Sequence, residues 1–415
     1  MNCKISEAKS NYKLLGDYIT KVNLRNKDLK TTNLKGLSMT KEFRESTSNI
    51  IGVDLSKYKL VPKNHFACDF MSVIRVHKLP VVHQNSDELI IVSPAYTVFK
   101  VIDENILNPE YLMMWFRRPE FDRYADFRCD SAIRGGFKWD ELGEVELPIP
   151  SIEKQHEIVK EYNTVANRIT LNETINKKLE DTAQALYKHW FVDFEFPNEQ
   201  GKPYKSNGGK MVFNEELDLE IPLGWENGKF DKYVILSQGQ VINAKTRHLV
   251  VKKGLPLLKI TDLFNNTATM FIDSEKVSKK NLATKDELIY TRTGQVGYVF
   301  RNKEGVVYNN CFKITPIKEG LSKEFIYWYL KDENIRRLMT DLASGSAQAD
   351  LTHSAFFSVS IINPSYKIQE SFSKISLTIV KNIDYNHQLN FKLNILKNLL
   401  LSKMSKVAIE KETVC

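Results

Sequence analysis

The chain has 415 residues, 42% apolar and 27% charged, with a net charge of +8; this is an ordinary globular composition, long enough for two or three domains with cores of their own. Cys3, Cys68, Cys129, Cys311 and Cys415 are scattered without a Cys-x-x-Cys pair, which argues against a disulfide framework or a zinc site and predicts a reducing, cytoplasmic setting. The first eighteen residues are polar and charged and no apolar run approaches a bilayer span, so neither export nor membrane insertion is expected.

Between Leu14 and Pro150 the β-branched and aromatic runs at 71–76, 88–93 and 96–102 predict short strands. Asn108-Pro109 then supplies a cap and a first-turn proline for a helix whose apolar face is Tyr111, Leu112, Trp115 and Phe116. Two long helices are predicted at 151–190 and 365–404, because neither stretch contains proline or glycine and both carry apolar residues at coiled-coil spacing. The stretch 197–228 between the halves is rich in glycine, proline and acids, and reads as an ordered surface linker whose sign keeps it off polyanions. The second half repeats the order of the first, with strands at 256–260, 287–291, 297–300 and 311–314 and a helix at 322–331.

That repetition is visible in the residues themselves. Pro150, Ser151, Gln155, Lys160, Thr164, Asn172, Asn176, Lys178 and Leu179 return as Pro364, Ser365, Gln369, Lys374, Thr378, Asn386, Asn390, Lys392 and Leu393, every one 214 positions later. Tyr111 and Phe325 share the offset, although upstream of Tyr111 the match needs small gaps. Two copies of one unit imply a pseudo-twofold molecule suited to a ligand with two similar sites.

Each long helix also holds an unbroken heptad frame. In the first, Ile158, Val165, Asn172, Leu179 and Leu186 fall at a and Tyr162, Ile169, Asn176, Ala183 and Trp190 at d. In the second, Phe372, Ile379, Asn386, Leu393 and Leu400 fall at a and Ser376, Ile383, Asn390, Lys397 and Met404 at d. The paired asparagines lie near the middle of each helix, where the midpoints of an antiparallel pair meet. We therefore expect helix pairing through Asn172, Asn176, Asn386 and Asn390, flanked by Ile169, Leu179, Ile383 and Leu393, with the asparagines setting register. The fold class is α/β (α+β): two pseudo-twofold-related mixed α/β domains joined by two long antiparallel coiled-coil helices. The expected division is a first domain at 1–150, a helix at 151–192, a linker at 193–228, a second domain at 229–364, a second helix at 365–408 and a tail at 409–415.

Catalytic signatures are absent from the sequence. Neither a phosphate-cradling Gly-x-x-x-x-Gly-Lys loop nor a Gly-x-Gly-x-x-Gly strand-to-helix turn occurs, and the eight histidines have no metal-ligand spacing. Asn363-Pro364-Ser365-Tyr366 approaches the Asn-Pro-Pro-Tyr signature of DNA amino-methyltransferases, but its third residue differs and its counterpart in the first half is Ile149-Pro150-Ser151-Ile152, so it reads as a helix entry. No catalytic, cofactor or metal site is assigned to the chain.

The charge favours a polyanion for the second half, since residues 229–364 carry +7 and 365–415 carry +4, against +2 for 1–150, 0 for 151–192 and −5 for 193–228. Arginine, lysine, asparagine and glutamine on loops suit base edges. The candidate DNA-binding residues are Lys245 and Arg247; Arg292, Thr293 and Gln295; and Ser344, Ser346 and Gln348. In the first half they are Lys57, Tyr58, Lys59 and Lys63, with Arg134 and Lys138. For each, a solvated turn is the competing reading.

Taken together these residues resemble the specificity subunits of type I restriction-modification systems, over nearly the whole chain. The likeness is most specific at Leu147-Pro148-Ile149-Pro150 leading into Glu153-Lys154-Gln155, at the run from Leu186 through Trp190 to Phe194, at 208–225, and at Gly345-Ser346-Ala347-Gln348. The second helix entry departs, with Ile361-Ile362-Asn363-Pro364 and no acidic-Gln pair, and the first half has Asp130-Ser131-Ala132-Ile133 in place of Gly-Ser-Ala-Gln. The resemblance implies two target-recognition domains, each reading one half of a bipartite, asymmetric sequence in double-stranded DNA. It further implies conserved-region helices that act as a ruler and dock two modification (methyltransferase) subunits, with restriction/translocase subunits completing the assembly. S-adenosylmethionine, ATP and Mg would be bound by those partners, and this chain would be a non-catalytic specificity subunit. The alternatives are a specificity subunit of a related combined restriction/methyltransferase system, a stand-alone DNA methyltransferase, which would need a cofactor-binding fold, and a structural coiled-coil scaffold, which would need no basic loops.

Overall fold

The computed structural model describes residues 12–47, 52–129, 137–318, 320–345 and 348–405. The chain forms two compact units, one of residues 1–172 and 387–415 and the other of residues 173–386. In chain order unit 1 begins with β1 (Tyr12–Leu14), β2 (Ile19–Val22), β3 (Lys35–Leu37), β4 (Phe43–Glu45), β5 (Lys59–Val61), β6 (His65–Cys68), α1 (Val73–Val76), β7 (Val81–His83), β8 (Ile90–Val92) and β9 (Thr97–Val101). It continues with α2 (Pro109–Phe116), α3 (Pro119–Arg128), α4 (Trp139–Gly143), β10 (Glu146–Pro148) and the start of α5 (Ile152–Phe191).

The central sheet of unit 1 is antiparallel in the order β2-β9-β6-β7, and β1 pairs with β10, β3 with β4 and β5 with β8. Both faces of this sheet are covered. Phe66 and Phe99 stack at 4.9 Å and meet Phe116 of α2 on one side, while Ala67, Val82 and Val98 pack with Leu37, Val61 and Val92 on the other. Burial on two faces suits the short apolar stretches at 66–68 and 81–82, whereas the edge strand β2 (ITKV) keeps exposed polar positions. Helix α2 starts as the sequence predicts: the Asn108 side chain accepts from the N–H groups of Glu110 and Tyr111, and Pro109 occupies the first turn, where a missing N–H does no harm. The expected strand at 71–76 is corrected. The Asp69 carboxylate accepts from the N–H groups of Met71 and Ser72 and from the Ser72 hydroxyl, which turns the backbone into the single helical turn α1 in spite of its β-branched residues.

After α5 the chain forms a hairpin, β11 (Met211–Asn214) with β12 (Leu219–Pro222), and enters β13 (Glu226–Lys229) and β14 (Val234–Gln238). There follow β15 (Val250–Val251), β16 (Leu255–Leu258), α6 (Ile260–Asn265), β17 (Phe271–Ile272), β18 (Leu282–Ala283), β19 (Leu288–Thr291), β20 (Val299–Phe300), β21 (Gly305–Val307) and β22 (Cys311–Pro316). Unit 2 closes with α7 (Lys323–Lys331), α8 (Glu333–Asp341), α9 (His353–Ser358), β23 (Ser360–Asn363) and the start of α10 (Tyr366–Lys403).

The repeat seen in the sequence is a repeat of topology. The order β14-β22-β19-β20 reproduces β2-β9-β6-β7, the pair β13-β23 reproduces β1-β10, and α7, α8 and α9 follow as α2, α3 and α4 do. Unit 2 adds a five-stranded sheet, β15-β17-β16-β21-β18, that unit 1 lacks among its described residues.

Both long helices pack antiparallel by the contacts inside each unit. In unit 1 Asn172 donates to Asn390 at 2.7 Å, and Leu401 of α10 and Met404 just beyond it join Val159 and Tyr162 of α5 in the core. In unit 2 Asn386 donates to Asn176 at 2.8 Å, and Phe372 of α10 packs on Tyr187, Trp190 and Phe191 of α5. On α5 the whole d column is buried, whereas Ile158, Leu179 and Leu186 at a are half-buried. Val159, Tyr187 and Val380, one position after a residues, are buried as well, because each domain packs on that side of the helices.

Candidate DNA interface

In unit 2 the end of β14, the end of β19 and the beginning of β22 lie on one edge of the sheet, with Gln238 opposite Phe312 and Thr291 opposite Cys311. The loops leaving that edge, with the α8–α9 loop that bonds to one of them, carry the described candidates of the second half. Arg292 follows β19 and points into the edge: its guanidinium bonds the Asp350 carboxylate, donates to the carbonyls of Leu351 at 3.1 Å and Asn309 at 3.4 Å, and lies over the Phe312 ring at 5.1 Å. The Arg292 side chain is only 11% exposed. Thr293 donates to the other Asp350 oxygen at 2.6 Å, the Gly294 N–H bonds Ala349 at 2.8 Å, and Ser344 and Asp350 exchange backbone hydrogen bonds. Gly294 has φ +78°, a left-handed backbone conformation that glycine adopts without strain, at the point where its N–H bonds the Ala349 carbonyl.

The loop carrying Lys245 and Arg247 belongs to the same edge. The Asn309 N–H bonds the Gln240 carbonyl at 3.1 Å and the Gln238 amide donates to the Asn309 carbonyl at 3.3 Å. Within the loop Asn243 accepts from the N–H groups of Lys245 and Thr246, an Asx turn that leaves Lys245 and Arg247 exposed. Gln295, Ser344 and Gln348 are exposed beside it, and Ser346 lies outside the described residues. The edge thus has an internal brace, Arg292 with Asp350, while Lys245, Arg247, Gln295, Ser344 and Gln348 are exposed.

Unit 1 presents the corresponding edge at the end of β2, the end of β6 and the beginning of β9, where Val22 faces Val98 and Cys68 faces Thr97. Lys59 bonds the Tyr96 carbonyl there, and burial, helped by the positive charges of Arg25 and Lys21, pushes its pKa down. Arg25 donates to the Lys57 carbonyl at 2.6 Å, and the Lys21 ammonium lies over the Trp139 ring at 5.1 Å, next to exposed Lys138. Lys57 is exposed and pairs with Asp54 at 3.5 Å; Tyr58, half-buried, packs with Leu34 and Leu60. Lys63 belongs elsewhere. It precedes β6, whose His65 faces Lys100 at the opposite edge, and it pairs with Asp87 at 2.9 Å. Arg134 lies outside the described residues.

Sequence reasoning missed Lys21, Arg25 and Tyr96 in unit 1 and Asn309 and Asp350 in unit 2. A lysine and an arginine four apart at the end of a strand were the available signal for the first two; nothing local marks the others, whose partners lie far along the chain.

The helix-pairing residues form a second site. Asn172 is 1% exposed, and Asn390, which accepts from it, also donates to the Ile169 carbonyl at 3.3 Å. Ile169 and Ile383 are buried, and Leu179 and Leu393 are half-buried. The Asn176 amide nitrogen is buried without a hydrogen-bond partner. Among the described residues no group of three or more His, Cys, Asp or Glu side chains is arranged to hold a metal ion, and no helix is long and apolar enough to cross a membrane.

Comparison with known proteins agrees with this arrangement. Residues 222–395 match the type I restriction modification DNA specificity domain. The chain is 28% identical over 373 residues to the type I restriction enzyme HindI specificity subunit of Haemophilus influenzae, covering 74% of this chain and 79% of that protein. It is 24% identical over 317 residues to the MjaIX specificity subunit of Methanocaldococcus jannaschii, covering 73% and 70%. In fold it is similar to the type I restriction-modification S subunit from M. genitalium, with a TM-score of 0.55, 14% identity and 95% of each chain covered. These matches define a class, the DNA-specificity proteins. Within it, the relatives this chain is similar to are specificity subunits of type I restriction enzymes.

Proposed function

We propose that the chain reads a bipartite, asymmetric sequence in double-stranded DNA, one half-site by each domain. We propose further that it holds two modification subunits, which bind S-adenosylmethionine and methylate adenine, together with restriction subunits that use ATP and Mg, while itself performing no catalysis in the cytoplasm. The observation that supports this reading most is a repeated scaffold whose polar edges are not repeated: Arg292 and Asp350 in unit 2 correspond to a cluster of Lys21, Arg25, Lys59 and Tyr96 in unit 1. Phosphate contacts position a protein on DNA and base contacts specify, so a shared frame with different edges suits two unlike half-sites. Docking of partner subunits is supported by the exposed, largely apolar run Phe391, Ile395 and Leu399 at four-residue spacing on α10.

Helix α5 has 40 residues, a length of about 60 Å at 1.5 Å per residue, enough to separate two readers by more than one DNA turn of about 34 Å. Inserting four residues after Ile169 should lengthen α5 by about 6 Å, and the unread spacer should grow by nearly two base pairs of about 3.4 Å each. Single-molecule methylation sequencing of a host carrying the variant with its partners measures this; an active variant with an unchanged spacer rejects the ruler.

A further inference from the structure

Gln155 and Gln369 hold the same place in the two copies, 214 residues apart. They are 0% and 2% exposed, although glutamine is ordinarily a surface residue. In unit 1 the Gln155 amide oxygen accepts from the Asn108 N–H at 2.8 Å, and its nitrogen donates to the carbonyls of Ile106 and Pro150, both at 2.8 Å. In unit 2 the Gln369 oxygen accepts from the Ser322 N–H at 2.8 Å, and its nitrogen donates to the Pro364 carbonyl at 2.8 Å and the Asn363 side-chain oxygen at 3.3 Å.

The residues so joined have defined jobs. Asn108 and Ser322 cap α2 and α7, the helices packed in the two domain cores, while Pro150 and Pro364 follow the last strands and open the long helices. One amide therefore ties the packing helix of a domain to the first turn of its long helix. A primary amide suits this place because it carries an acceptor and two donors on one planar group. Other ties between domain and helix differ between the copies: Glu110 meets Asn163 in unit 1, whereas Glu324 meets Arg301 and Ser376 in unit 2. Among the described residues the glutamine tie recurs in both units, from the N–H of a helix-capping residue to the carbonyl of the proline that opens the long helix.

We propose that Gln155 and Gln369 are positioning residues that fix the angle of each reading domain on its helix, and so set the spacing between half-sites to a single value. This rests on the bipartite reading above. A rotation of about 10° at a domain radius of about 20 Å moves a reading loop by about 3.5 Å, the rise of one base pair, so small play at this junction is large on the scale of the target.

The test uses the full chain with its modification subunits in a host free of other adenine methylation, comparing wild type with Gln155→Met and Gln369→Met. Methionine fills a similar volume without hydrogen bonds, and Gln155→Glu and Gln369→Glu serve as second variants that replace donors by acceptors. The expected result is unchanged half-site sequences, with methylation at spacers one base pair longer or shorter rising at least tenfold over wild type. A purely structural role would lower methylation uniformly and leave the spacer single-valued; that outcome, unaltered methylation, or failure of all four variants to assemble with the modification subunits overturns the proposal. A wild-type methylome without a bipartite motif defeats the bipartite reading instead, and the two failures are thereby distinguished.

Discussion

The corresponding strand-end edges of the two domains, the candidate DNA interface, differ in chemistry. In unit 2 the edge is braced from within, Arg292 being spent on Asp350, Leu351 and Asn309, so that exposed Gln295, Gln348, Lys245 and Arg247 are left to face a ligand. In unit 1 the corresponding edge gathers Lys21 and Arg25 near Lys59, which bonds the Tyr96 carbonyl, and their positive charges add to burial in lowering the Lys59 pKa. A duplicated frame can hold both solutions because its stability comes from the aromatic cores beneath, Phe66, Phe99 and Phe116 in one unit and Phe230, Phe312 and Phe356 in the other. Loops over such cores can diverge without unfolding them.

The same contrast runs through the attachment of domain to helix, and there it can be broken most severely. Glu324 and Arg301 form a buried ion pair, 5% and 9% exposed, with Ser376 donating to the carboxylate and the guanidinium lying over Tyr327. Glu324→Ala strands a buried cation and should destabilise unit 2 by about 3–5 kcal/mol. The equivalent Glu110 in unit 1 meets the neutral Asn163, and Glu110→Ala should cost only about 1 kcal/mol. Denaturant unfolding of the two variants checks the difference, and equal losses would show that the two attachments are energetically alike.

A smaller effect is expected at the helix seam. Asn390→Leu leaves the Asn172 amide buried without its acceptor and should cost about 1–3 kcal/mol, while Asn172→Leu combined with Asn390→Leu should regain most of it. The regain comes at the expense of register, because two leucines pack in more than one alignment where a bonded amide pair has one. Thermal melting gives the energies; a double variant no more stable than the single one contradicts this account of the seam.

The smallest effect separates two lysines of unit 1. Lys59→Ala should weaken DNA binding by the assembled enzyme and reduce its salt dependence by about one phosphate contact. Lys63→Ala should leave both unchanged, since Lys63 sits at the opposite edge beside Asp87. Binding titrations at several salt concentrations measure both, and equal slopes for Lys59→Ala and the wild type would remove Lys59 from the interface.

Much of this molecule was legible in its sequence, for reasons of range. Helix periodicity, the absence of proline and glycine over forty residues, the cap at Asn108 and the paired asparagines all act within a few residues or recur at one fixed offset, and α5, α10, α2 and α7 follow from them and from the repeat. Residues 71–76 misled because β-branched propensity is weaker than the turn that the Asp69 carboxylate sets through the N–H groups of Met71 and Ser72. Which loops share an edge is decided by strand pairing between residues far apart in the chain, such as Thr291 with Cys311 and Cys68 with Thr97. For that reason Arg292 reads in the sequence as a base contact and stands in the structure as a brace, and Lys59 and Lys63, four residues apart, lie at opposite edges. By itself the sequence determined the duplication, the long helices and the type of side chain offered to a polyanion; the tertiary structure alone decided which of those side chains meet, because long-range pairing leaves no local trace.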